Sequence, residues 1–463
     1  MKTLLFLVLL SFSLFAVIPA AGAQETNAYN SGEPAGSSEA AAIADAANIS
    51  AMAARGKYLT VKIAVSGPGD ELYLWWGHIG LIIEDGLSGK KLFYDWGVFD
   101  FEKENFYRNF AFGRLLYSCS VSPEDYANIH NIETNRDLTL YTLDLPPEVK
   151  TELLLFAENN VLPENRDYLY HHFRDNCATR VRDIIDRAVG GTFKARYGEA
   201  PGRLTLRQHV RRHSWFSPFW DWAFSFLMGR DIDKPTTVWE EMFLPSEIAL
   251  RCKDFTYTDS SGRERQLVSE VEVLNRAVGR PGTAEIPPPS YREPILGFLL
   301  AITLGFLRWK SGTRGGKNPL RERHILGAAQ AVLGLFFGVM GLILFFMCFF
   351  TTHDYTFHNS NVLFVNPLLL AAVPLGLIAA FGKNPKKHQT SVVLLKALWT
   401  IVFLAGFFTV VLRFFPGFYQ HNQPTQILVL PFAFVLSLIP DVLRTIKGRH
   451  QRHTAHDRHL TGQ

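Results

Sequence analysis

Apolar residues are distributed in two different ways along the chain. Up to about residue 290 they come in short runs separated by turns; beyond it they fuse into long stretches. In the first part "YLTVKIAV" (58–65) is rich in β-branched residues and predicts a strand. "GPGD" (67–70) is a turn. "ELYLWWGHIGLIIEDG" (71–86) predicts a strand that ends in a turn at Asp85-Gly86, and "KKLFYDWG" (90–97) a second strand. The pattern becomes helical at "PPEVKTELLLFAENN" (146–160). A further helix over 176–189 sets Val181, Ile184, Ile185 and Ala188 at helical spacing and stops at Gly190-Gly191. Residues 254–275 predict a late hairpin around "DSSG" (259–262), and the proline-rich "EIPPPSYREP" (285–294) reads as a linker. No internal repeat is present, and the fold class expected for 57–290 is α+β.

The long stretches predict a membrane domain over 291–445. Five of them, 294–307, 325–350, 362–381, 391–415 and 426–443, follow one another. The first is short, since roughly 20 residues cross a bilayer core; reading it as interfacial would leave an even number of spans. Loop charge favours five. The segment 308–324 carries Arg308, Lys310, Arg314, Lys317, Arg321 and Arg323, and 382–390 carries Lys383, Lys386 and Lys387. The segments 351–361 and 416–425 have no Lys or Arg. This alternation places the basic tail, 446–463, in the cytoplasm and the N-terminal domain outside. The chain start agrees: Lys2, an apolar run over 4–18 and Ala21-Gly22-Ala23 read as a signal peptide over 1–23. Residues 24–56, rich in Ala, Ser, Gly and Asn, read as a flexible leader. Within the spans Lys396 stands near a cytoplasmic helix end, from which it can snorkel to the surface.

The formal charge of +4 calls for no nucleic-acid partner, because cytoplasmic loops and tail account for much of the excess. No glycine-rich nucleotide loop follows a strand, and no cofactor is implied. ATP and acyl-CoA are not expected outside an inner membrane.

Candidate chemistry centres on "YHHFRDNCATRVRD" (170–183). Cys177 falls in the first turn of the predicted helix, where free backbone N–H groups and the dipole favour a thiolate. His78, in "WWGHIGLIIED", opens an apolar strand between Gly77 and Gly80, small neighbours that would let a substrate approach. His171 and His172 are nearer in sequence, without a defined direction. Cys177 as a buried structural thiol and His78 as a core residue are the plainer readings. A Cys119–Cys252 disulfide would leave Cys177 as the one unpaired thiol outside the membrane, since Cys348 lies in a span. A zinc site from Cys177, His172 and His78 lacks paired ligand spacing.

A histidine followed by glycine on a strand, and later an Asn-Cys opening a helix, resembles the circularly permuted papain-like group. That group includes the NlpC/P60-related and lecithin:retinol-acyltransferase-like enzymes. More closely, "GHIGLIIED", "FYDWGVFDFEKENF" and "YHHFRDNCATRVRDIID" resemble the exported module of the Lnb-type bacterial lipoprotein N-acyltransferases, over roughly 57–250. The resemblance implies transfer of an acyl chain from a membrane phospholipid to the free α-amine of a diacylglyceryl-cysteine lipoprotein. It assigns Cys177 as nucleophile and His78 as base. A thiolate that attacks a lipid ester stores the chain as a thioester, a good acyl donor to amines.

Other residues add candidates with open alternatives. Asp95, in "FYDWG", orients His78 if the strands pair suitably, or is a solvated strand-end residue. Asp175 and Asn176 are its rivals, with Asn176 better suited to cap the helix. Arg180 and Arg182 would hold a lipid phosphate, or form surface ion pairs with Asp183 or Asp186. "HSWFSPFWDWAFSFLMGR" (213–230) gathers Trp215, Trp220, Trp222 and four phenylalanines. It reads as an interfacial wedge beside the site, or as a core helix kinked at Pro218. Against acyl transfer stand two rivals: a Cys–His peptidase or amidase acting on cell-wall peptides, and a non-catalytic envelope assembly factor.

Overall fold

The computed structural model describes residues 39–102, 104–312 and 319–446. The expected signal peptide, the first part of the leader and nearly all of the basic tail lie outside these. The chain divides into two compact units. One holds 24–216 and 234–287; the other holds 217–233 and the chain from 288 onward.

The first unit is built on a seven-stranded antiparallel sheet of order β6-β4-β3-β2-β1-β5-β9. Its strands are β1 (Leu59–Ser66), β2 (His78–Asp85), β3 (Lys91–Val98), β4 (Leu116–Pro123), β5 (Leu138–Leu143), β6 (Asp167–Leu169) and β9 (Val268–Asn275). A separate hairpin pairs β7 (Thr256–Thr258) with β8 (Glu264–Gln266). Two expectations change here. The stretch 71–77 is not strand: Leu72–Leu74 forms a 3-10 turn, and extended backbone begins only at His78. The late segment is more than a hairpin, because β9 continues from it and pairs with β5.

Helix α1 (Glu39–Gly56) occupies much of the stretch expected to be a flexible leader. Its alanines have the highest helix propensity of any residue. It is also anchored: Arg55 grips both carboxylate oxygens of Asp85 at 3.0 and 2.7 Å, and Thr151 donates to the Met52 carbonyl at 2.7 Å. Helices α2 (Glu124–Glu133), α3 (Pro147–Asn160) and α4 (Cys177–Ala188) complete the frame. One sheet face, with Ile79, Leu81, Ile83, Tyr94 and Trp96, packs on Val181, Ile184 and Ile185 of α4. Burial of such side chains contributes roughly 2 kcal/mol each. The other face, with Ala64, Ile82 and Phe93, forms a smaller core near α2.

The second unit contains α5 (Pro218–Leu227), α6 (Arg292–Gly312), α7 (Pro319–Phe350), α8 (Ala372–Phe381), α9 (Pro385–Leu412) and α10 (Gln423–Leu436). Among the described residues four helical stretches are long and apolar enough to cross a membrane. A fifth exists if α10 and residues 439–446, bent by 53°, count as one. The stretch expected to be short, 294–307, is the middle of the 21-residue α6; the interruption falls in the last span instead. The third span is irregular in its first half, where 3-10 turns at Ser360–Leu363 and Pro367–Ala371 precede α8.

Helix α5 also departs from expectation. Pro218 starts it rather than kinking a longer one, and residues 217–233 belong to the membrane unit, not the exported domain. Trp222 and Phe226 are buried there, with Trp222 stacked on Phe226 and Phe336. The amides of Asn359 and Asn361 both donate to the Phe226 carbonyl (2.8 and 3.0 Å), and Gln420 donates to that of Met228 (3.1 Å). Gln420 also donates to Asn359 Oδ1 (2.9 Å), and Asn422 to Asn361 Oδ1 (3.0 Å).

Candidate active site

Three elements of the first unit converge at one end of the sheet. Asn176 caps α4: its side chain accepts from Thr179 N at 2.9 Å, while Thr179 Oγ1 accepts from Asn176 N at 2.8 Å. Its amide donates to the carbonyls of His172 and Phe243 at 2.8 and 3.0 Å. Such a cap is worth about 1 kcal/mol. It also fixes Cys177 as the first helical residue, with its N–H outside the helix's own ladder.

Packing of α4 along β2 brings Cys177 close enough to His78, the first residue of that strand, for its charge to act on the ring. β2 and β3 pair with Leu81 opposite Tyr94; continued, that register sets Gly80 opposite Asp95 and His78 opposite Gly97, so Asp95 and His78 are diagonal neighbours. Asp95 Oδ1 lies 2.8 Å from His78 Nε2 and accepts the Gly97 N–H at 2.7 Å. A Cβ at Gly97 would stand 2.4 Å from His78 Cε1, so only glycine leaves the ring its place. Gly80 has a different role from the one expected: the Phe93 ring fills the space a Cβ would take.

Electrostatics follow from this placement. Burial alone would favour neutral imidazole, but the charges of Asp95 and Cys177, with their hydrogen bonds, outweigh it and raise the His78 pKa to about 10. Asp95, although buried, is held below the usual carboxylate range by His78 and the Gly97 N–H. Cys119 and Cys252 are free, unbridged and buried among apolar side chains. Burial pushes Cys119 up to about 12 and raises Cys252 as well. Among the described residues no group of three or more His, Cys, Asp or Glu could hold a metal ion.

Comparison with known families matches the chain twice. Residues 48–212 match the Lnb N-terminal periplasmic domain, and residues 298–438 match the Lnb transmembrane domain. The chain belongs to the Lnb family. It is a membrane protein with an N-terminal periplasmic part, and its two matched domains are those of a lipoprotein N-acyltransferase-like envelope protein. No curated protein and no solved structure matches it.

The remaining candidates of this Lnb-family chain fare differently. Arg180 grips Asp175 with two hydrogen bonds (2.7 and 3.0 Å) and stacks 3.6 Å from the Tyr168 ring centre. Arg182 is buried, bound to Asp183 (2.8 Å) and the Trp239 carbonyl (2.9 Å). Both guanidinium groups are engaged within the unit. Asp175 is thereby also removed as a partner for His78. His171 accepts from the N–H groups of Phe173 and Arg174 and shapes its own turn. The tryptophans are dispersed: Trp215 donates to the Gly282 carbonyl (3.2 Å), Trp222 is buried, and Trp220 is exposed beside Phe219.

Two arginines were passed over in the sequence. Arg136 is buried before β5, donates to the Gly67 carbonyl at 3.0 Å and feels the charges of Cys177 and Asp95. Burial and Arg280 lower its pKa to about 10. Nothing in "NIETNRDLTL" distinguishes it from a surface residue. Arg413 lies inside the stretch 391–415, and counting charges there would have found it.

Proposed function

We propose that the protein moves a fatty acyl chain from a membrane phospholipid, through a thioester on Cys177, to the N-terminal amine of a diacylglyceryl-cysteine lipoprotein. The observation that carries this reading is the juxtaposition of Cys177, His78 and Asp95 in the periplasmic part of an Lnb-family membrane protein.

The chemistry runs as two acyl transfers. The start of α4 and the charged His78 ring stabilise the Cys177 thiolate. The thiolate attacks the donor's ester carbonyl; a C–S bond forms and the C–O bond breaks. The departing lysolipid oxygen takes its proton from His78. The neutral ring then accepts a proton from the lipoprotein amine as that amine attacks the thioester. A C–N bond forms, the C–S bond breaks, and the thiolate returns beside the imidazolium. With Nε2 held by Asp95, Nδ1 is the ring nitrogen that serves the sulfur. The Cys177 N–H and its neighbour at the helix start suit the tetrahedral oxyanion, and Arg136 adds positive potential. Counting the bent pair as one span gives five spans, and the basic loops then orient the tail toward the cytoplasm.

Intact-mass spectrometry of the full-length protein after mixing with phospholipid vesicles tests this. A fatty-acyl adduct on the wild type, removed by neutral hydroxylamine and absent in Cys177→Ser, is expected. A folded protein with a free Cys177 thiol and no adduct would transfer the weight to a peptidase or a non-catalytic role.

A further inference from the structure

The membrane unit has a cleft of about 440 Å³ between α6, α9 and α10. Phe298, Phe403, Val410, Leu430 and Phe434 line its apolar length. Arg413, Gln423 and Gln426 line its other end, where α9 finishes and α10 begins. That end faces the periplasm. Gln420 and Asn422, between the two helices, belong to the amide group that binds residues 226–228, and this segment continues from the periplasmic domain.

Gln426 donates to Thr409 Oγ1 at 2.9 Å, whereas Arg413 and Gln423 keep polar atoms unspent. Arg413 has no carboxylate partner among the described residues, and its buried Nε has no hydrogen-bond partner. Gln423 Oε1 is likewise buried and unpaired. An isolated cation at a bilayer edge is costly unless an anion joins it. Exposed Phe414, Phe415, Phe418 and Tyr419, the residue types of a headgroup-level belt, follow Arg413 in the chain, and the Tyr419 ring centre lies 5.5 Å from its guanidinium. The α6–α10 contact is also close. Pro431 gives no N–H to the Ile427 carbonyl, and Gly297 sits against that carbonyl, where a Cβ would stand 2.3 Å away.

We propose that this cleft seats one phospholipid of the outer leaflet, with its phosphate on Arg413 and an acyl chain along Phe403, Leu430 and Phe434. Resting on the acyl-transfer reading, the cleft is where the donor lipid waits. A cation, an amide pair and an apolar channel fit a lipid phosphodiester and its chain better than a neutral lipid or a peptide.

The test uses the full-length protein in vesicles containing a phospholipid with a photoreactive group on one acyl chain. Cross-linked peptides are mapped by mass spectrometry in the wild type, Arg413→Leu, Arg413→Lys and the cleft-filling Leu430→Trp. Adducts are expected to concentrate on α9 and α10 at the cleft. They should fall about ten-fold or more in Arg413→Leu, as loss of a charged hydrogen bond implies. Arg413→Lys should restore them in part, Leu430→Trp should remove them, and adducts at exposed Val332 of α7 should stay constant. A diacylglycerol bearing the same chain should label the cleft weakly. Even labelling of all lipid-facing helices, indifferent to Arg413, would overturn the proposal, as would equal labelling by the diacylglycerol. The Cys177 thioester is read in the same samples. Cleft labelling without any thioester would refute acyl transfer and leave the lipid site standing. Normal thioester formation in a wild type whose cleft never labels would do the reverse.

Discussion

Two histidine–carboxylate pairs sit in the periplasmic unit, one fully buried and one half-buried. His209 and Glu241 are fully buried, 3.0 Å apart. Glu241 also accepts the N–H groups of Arg203 (2.6 Å) and Leu204 (2.8 Å), and His209 Nδ1 lies 3.3 Å from Arg212. Arg212 in turn reaches Glu247 at 2.7 Å. Both ring nitrogens of His209 are occupied. His78 and Asp95 are closer, at 2.8 Å, yet each side chain keeps about a fifth of its surface exposed. Asp95 uses one ring nitrogen, and Cys177 lies near enough for its charge to act on the ring. If the acyl-transfer reading holds, what separates the structural pair from the reactive one is the valence left over once the scaffold's own bonds are counted.

The largest effects should separate the two pairs by kind. Cys177→Ser should abolish the thioester, and His78→Ala should slow its formation about 10²- to 10⁴-fold, both with thermal melts close to wild type. His209→Ala should instead cost about 3–5 kcal/mol of stability, because it strands a buried carboxylate among its donors. Whatever protein remains folded should still acylate. A His209→Ala enzyme that melts normally but cannot acylate would erase the distinction.

Asp95→Asn sharpens it through pH. Native His78 holds its proton to about 10, against an ordinary value near 6.5 in the unfolded chain. Its charge therefore stabilises the fold fully below about 6.5, and that contribution is lost as pH rises toward 10. Removing the Asp95 charge should move the upper limb of the acylation pH profile toward neutrality and flatten the alkaline loss of stability. An unchanged profile would deny Asp95 its hold on the ring. Gly97→Ala should lower the rate about 10²-fold through displacement of the ring, without blocking alkylation of Cys177. Arg180→Gln should do least: a partly exposed ion pair contributes about 0.2–1 kcal/mol, and acylation should not change. A large loss of lipid turnover in Arg180→Gln would return that residue to phosphate binding.

The parts of this architecture legible in the sequence were those with a local cause. The β-branched run at 58–65, the run "KKLFYDWG" at 90–97, the Asn176 cap with its apolar face behind it, and the long apolar stretches all reappear as elements. Strand pairing brings Asp95 to His78, and spacing alone left its register open. What escaped depends on distant partners. The alanine-rich start looked unstructured until α3 and Asp85 supplied something to dock against. The aromatic run at 213–230 divides between two units, which composition does not disclose. For Arg180 and Arg182 an ion pair with Asp183 was one open alternative, while Asp175 and the Trp239 carbonyl come to them only in three dimensions.

The amide group that holds residues 226–228 has one further consequence. Its donors and acceptors carry no net charge, and two of its targets are main-chain carbonyls. Neutral amides neither titrate nor attract a screening atmosphere. The grip should therefore be blind to the acidity and ionic strength of the medium outside the membrane, and to the identity of the side chains at the carbonyls it holds.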